Sequence, residues 1–106
     1  MPRPGDGDDD DGDSGSDGVA GALPADVEAA LTQLLSEAAV AARRRDVDDV
    51  TAIVDTVETV TRNKVPAGRV RERLLHGCRR VDRLASDEPL VAAAYLEAME
   101  RLVDTS

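Results

Sequence analysis

KVPAGRVRERLLHGCRRVDRL, residues 64–84, decides the fold. Val65 precedes Pro66 and is pushed out of the helical region by the ring. Pro66 suits the first position of a new helix. Beyond it, Val70, Leu74, Gly77, Cys78, Val81 and Leu84 fall on one arc, so the spacing predicts a helix over 66–85. Arg69, Arg73, His76, Arg80 and Arg83 follow spacings of 4, 3, 4 and 3 on the neighbouring arc. At about 100° per residue they span roughly 80°. A helix with an apolar strip beside a basic one must bury the first against partners, and those partners lie on either side in the chain.

Upstream, a helix is expected over 24–44. Leu23-Pro24 opens it, and Asp26 and Glu28 sit near its positive end. Val27, Leu31, Leu34, Ala38 and Ala41 make one face, widened by Ala30 and Leu35. Arg43, Arg44 and Arg45 favour a helix end, and Asp46 a new N-cap, so a break is expected there without Gly or Pro. The next helix, over 47–62, buries Val50, Val54, Val57 and Thr61. Its many β-branched residues suit a strand, but Asp55 and Glu58 would then fall on opposite faces among apolar neighbours. Asn63 is expected to end it in a left-handed conformation. Downstream, a fourth helix starts around 86–89 and runs to 103, with Val91, Tyr95, Ala98 and Leu102 as its apolar line, widened by Ala94 and Met99. Short connections imply an all-α fold, a small antiparallel four-helix bundle over residues 23–106.

The preceding residues, 1–22, are read as a disordered acidic tail. MPRPGDGDDDDGDSGSDG has seven Asp, one Arg and almost no apolar content, so ordering it recovers little free energy. Of the net charge of −9 over 106 residues, residues 1–18 carry −6 and residues 66–85 carry +4. Twelve Arg stand against the single Lys64, and Tyr95 is the one aromatic residue. An acidic, lysine-poor surface of this kind stays hydrated where concentrated salt screens its self-repulsion, so the composition resembles that of a halophile, with an acidic protein of a GC-rich bacterium as the alternative. Cys78 is the sole cysteine, which excludes an internal disulfide and a cysteine-based zinc site and suits a reducing cytoplasm. No apolar run approaches a membrane span or a leader segment.

With these residues in view, residues 64–84 together with EPLVAAAYLEAMERLV, residues 88–103, resemble small uncharacterised helical proteins of haloarchaea, the domain-of-unknown-function class. The resemblance covers residues 23–104. It implies a helical fold and a cytoplasmic location, with no activity or site residues to transfer.

Chemistry is sought in what remains. The arginine strip reads either as an anion-binding surface or as internal charge balance, its stems covering apolar surface while the heads meet acids of the second and fourth helices. Nucleic-acid affinity falls steeply with salt, and a −9 chain with one aromatic is a poor binder; an acidic protein partner suits the strip better. His76 has only Glu72 as a same-side neighbour, too few ligands for zinc or a di-iron site. Cys78 sits at the edge of the apolar arc and reads as a buried thiol, although Arg79 and Arg80 could lower its pKa. Residues 13–18 approach a calcium loop but place Gly15 and Pro24 where ligands belong. Glu97/Glu100 and Asp48/Asp49 look exposed, and Tyr95 reads as a core-edge residue. Excess apolar width on the first and fourth helices, with Leu75 outside the apolar strip, marks a possible dimer or partner face.

The expected function is therefore a non-enzymatic helical interaction or regulatory module, halophile-adapted and cytoplasmic, without cofactor or metal. Arg69, Arg73, Leu75, Arg80 and Arg83 are its expected partner-binding residues. The partner is an acidic protein or a second copy, with no membrane involved. The alternative is a nucleic-acid-associated protein using the same arginines.

Overall fold

The structure, a computed structural model, describes residues 23–105. The expected tail over 1–22 lies outside the described residues. Four helices follow one another: α1 (Ala25–Arg43), α2 (Val47–Lys64), α3 (Arg69–Leu84) and α4 (Pro89–Asp104). Among the described residues there is no strand.

The turn between α1 and α2 is made without glycine. Arg45 takes a left-handed conformation, φ 60°. Its N–H donates to the Ala42 carbonyl, and the Asp46 N–H donates to that of Ala41. This pair of bonds satisfies the last carbonyls of α1 as a Schellman motif does. Asp46 then caps α2, its carboxylate accepting from the Asp49 N–H at 3.1 Å.

Between α2 and α3 the boundaries differ from the sequence reading. Asn63 stays helical, and α2 continues to Lys64. Val65 is extended (φ −94°, ψ 126°) and 5% exposed, so the residue before proline ends the helix and also plugs the core. Pro66 is not the first residue of α3. Gly68, at φ 151°, turns the chain in a conformation that other residues rarely adopt, and α3 begins at Arg69. Pro89 stands in the first turn of α4.

Each helix packs on two others: α1 on α2 and α4, α3 on α2 and α4. Along α3 and α4, Arg80 lies over Tyr95 while Gly77 meets Met99, so position falls on one helix as it rises on the next. This is the register of antiparallel neighbours. The core is built of small aliphatics. Leu31 and Leu35 come from α1, Leu74 and Val81 from α3, and Leu96 and Val103 from α4, all fully buried. The α2 contribution is the expected Val50, Val54, Val57 and Thr61. Among the described residues Thr61 is the one buried polar residue of this core, and its hydroxyl donates to the Val57 carbonyl at 2.7 Å, removing the penalty of burying it. The β-branched residues of α2 are helical because packing of one face outweighs their intrinsic preference.

On α4 the expected face is one position off. Ala92, Leu96, Met99 and Val103 are buried, whereas Tyr95 and Leu102 are half-buried and Val91, Ala94 and Ala98 are exposed. On α1, Leu35 enters the core, Leu34 is half-buried and Ala30 is exposed. Glu97 is half-buried and pairs with Arg43 across the α1–α4 contact, so it is not a free surface acid.

Candidate functional site

The displaced face of α4 forms one wall of a furrow. Tyr95, Ala98, Met99 and Leu102 face residues of α3 across an open space of about 750 Å³. Gly77 brings the two helices together at the furrow's base. A Cβ built there would lie 2.6 Å from the Met99 sulfur, so any larger residue pushes the Met99 side chain aside. The close approach at Gly77 leaves the longer side chains on either side standing as walls.

Arg69, Arg73 and Leu75 line this furrow, together with Glu72, His76 and Arg79. Three of the five expected partner-binding residues are thus brought together. Arg80 is placed differently: its guanidinium lies over the Tyr95 ring, 5.7 Å from the centroid, in a cation–π contact. Arg83 is exposed in the last turn of α3, outside the furrow. All four arginines are exposed. Among the described residues none has a carboxylate within ion-pair distance; the pairs present are Arg43–Glu97 and Arg62–Glu58.

His76 is exposed and shares the furrow lining with Glu72. Cys78 is fully buried. Burial is the main cause that pushes its thiol up to about 12, with Glu58 and Asp82 adding to it and Arg62 and Arg79 only partly opposing. Such a thiol stays protonated and is a poor nucleophile.

A second grouping was not legible in the sequence. Asp55 and Glu58 of α2 meet Asp82 of α3, their carboxylate oxygens within 4.8 Å of one another. Burial raises the Asp82 carboxyl above its ordinary value, with repulsion from Glu58 and Asp55 adding to the shift. The spacing of Asp55 and Glu58 put both on one side of a helix. Only the packing of α2 on α3 supplies the third acid. The two flanks of α3 therefore differ, the α4 side cationic over an apolar wall and the α2 side acidic.

A family model described as a domain of unknown function (DUF8101) matches residues 17–105. No curated protein and no solved structure matches the chain.

Proposed function

The chain belongs to the DUF8101 family of unknown function, and from the geometry of the α3–α4 furrow we propose a non-enzymatic docking module that receives an acidic, amphipathic helix of another protein. One observation carries this reading: an apolar wall of Tyr95, Ala98 and Leu102 stands beside arginines that have no carboxylate partner among the described residues. Apolar surface left in water favours an apolar occupant. The arginines at the rim select carboxylates flanking that apolar face. Residues 69 to 79 of α3 run about 15 Å, three turns of an incoming helix, whose anchors would repeat at i, i+3 and i+4.

Nucleic acid is the weaker occupant. Single-strand binding leans on aromatic stacking, and Tyr95, the one aromatic residue of the chain, carries Arg80 over its ring. The protonated, buried Cys78 supports a module without covalent catalysis. Its lone free thiol also goes with a cytoplasmic location.

The test is a titration of the full chain into a fluorescent peptide designed as an amphipathic helix, with Leu and Val on one face and Glu and Asp flanking it. Saturable binding is expected. Ala98→Asp, at an exposed wall position, should weaken it about tenfold or more. Leu90→Asp should leave it unchanged, because Leu90 is 57% exposed but lies outside the furrow. Equal loss in both variants, or binding of labelled DNA or RNA in place of the peptide, overturns the reading.

A further inference from the structure

We propose that the outer face of α4 is the interface of a two-fold homodimer, in which α4 packs antiparallel against α4 of a second copy with Ala94 at the axis. This surface lies beside the furrow, and the proposal goes beyond the docking reading above.

The helix is apolar on both of its sides. Ala92, Leu96, Met99 and Val103 are buried in the bundle. Leu90, Val91, Ala94 and Ala98 are apolar too, yet exposed. Among the described residues, Leu90 and Val91 are two of the three large apolar side chains left in water, at 57% and 40% exposure. Charged residues make up 33% of the chain, but from Pro89 to Met99 the single charge is Glu97, which pairs with Arg43 of α1. The exposed sides of α2 and α3 differ sharply, carrying Asp48, Asp49 and Asp55 on one and Arg69, Arg73 and Arg83 on the other. A helix apolar around its circumference is stable where both sides are covered.

Spacing says what shape of partner covers it. Val91, Ala94, Ala98 and Arg101 follow steps of 3, 4 and 3, the seam along which two helices pack side by side. The small side chains at its centre let the second helix come close.

Charge then selects the partner and its direction. Asp87 and Glu88 are exposed at the entry to α4, and Arg101 is exposed in its last turn. None of the three has an ion-pair partner among the described residues. Asp87 and Arg101 each stand seven residues from Ala94, about 10 Å along the axis. An antiparallel copy crossing at Ala94 therefore sets Asp87 and Glu88 against its Arg101, and Arg101 against its Asp87 and Glu88. The same register sets Leu90 against Ala98 of the other copy, large against small. A parallel copy would set arginine on arginine and acid on acid, which repel. A surface that complements itself about its own midpoint is what a two-fold interface requires.

The net charge of −9 opposes association only weakly at this face, because residues 1–18 carry −6 of it. One helix against its copy makes a small interface, about 1,200 Å² in total or less, so the dimer is reversible and depends on concentration. The furrow lies on the α3 side of the same helix. Ala98 borders both surfaces, whereas Leu90, Val91 and Ala94 do not line the furrow.

Sedimentation velocity of the full chain over a concentration series, in about 0.15 M salt, should show monomer passing to dimer. Ala94→Arg falls on an exposed position and should weaken self-association about tenfold or more, with helical circular dichroism kept. Thr51→Arg, exposed on α2, should not change it. Arg101→Asp should weaken self-association, and so should the double variant Asp87→Arg, Glu88→Arg. An equimolar mixture of those two chains should restore the dimer, because each then meets its opposite charge. These charge variants decide the matter should Ala94→Arg lose helicity. Direction is read by mixing a copy carrying Ser86→Cys and a nitroxide with an unlabelled, isotope-enriched copy; Cys78 escapes labelling because it is buried and protonated. Amide signals of Arg101 and Leu102 should broaden more than those of Leu90 and Val91. A monomer throughout the series, a dimer unmoved by a folded Ala94→Arg chain, no rescue in the mixture, or stronger broadening at Leu90 than at Arg101 overturns the proposal.

Discussion

Arg45 shows how a single residue closes a helix where no glycine is present. Its left-handed backbone, φ 60°, is unfavourable for a residue with a Cβ, yet it lets the N–H groups of Arg45 and Asp46 reach the last carbonyls of α1. Replacing Arg45 by Gly removes the steric penalty and keeps both hydrogen bonds. The substitution should raise stability by about 1 kcal/mol, read as a higher urea midpoint with an unchanged slope. Asp46→Ala should do the reverse by about 1 kcal/mol, because the Asp49 N–H loses its acceptor. The two effects have opposite signs at adjacent positions, so their comparison separates backbone strain from capping.

At the scale of the helices, α3 and α4 are set by Gly77. With 2.6 Å between a built Cβ and the Met99 sulfur, a branched side chain there forces Met99 or the helix to move. Gly77→Val should therefore cost about 1–3 kcal/mol by overpacking, seen as a lower midpoint in thermal unfolding. The same contact explains what could be read from the chain alone. The α2 face was legible in full because Asp48, Asp49, Asp55, Glu58 and Arg62 mark the outer side, and the off-line apolar residues Val47, Ile53 and Val60 only flank the buried line 50-54-57-61. On α4 the lines 91-95-98-102 and 92-96-99-103 are both apolar, so periodicity fixes a helix but not which line faces inward. The line read as core became the furrow wall. The start of α3 was misplaced because the turn depends on the φ of Gly68, which composition does not reveal. The arginine strip was legible as a pattern. That no carboxylate among the described residues lies within ion-pair distance of it, and that three acids meet on the other flank of α3, depend on how helices pack and were not legible.

Across the whole molecule the charges are sorted rather than mixed, and the acids have a measurable consequence where they crowd. Asp82 sits against Glu58 and Asp55 in a chain of net charge −9, and its carboxyl titrates above the ordinary value through burial first and these neighbours second. A raised folded-state pKa means that the fold binds this proton more tightly than the unfolded chain does. The associated stability is present below the unfolded value and is lost as pH rises through the folded one. At neutral pH the ionised Asp82 therefore opposes folding. Asp82→Asn removes that opposition and should raise the thermal midpoint at pH 7 in dilute salt. The gain should shrink as pH falls below the ordinary carboxylate range, where the wild-type group is protonated in both states. It should shrink also in about 1 M KCl, where screening weakens the repulsion from Glu58 and Asp55. A midpoint that is unchanged at pH 7, or a gain that persists in acid, would mean that the three carboxylates do not strain the α2–α3 contact.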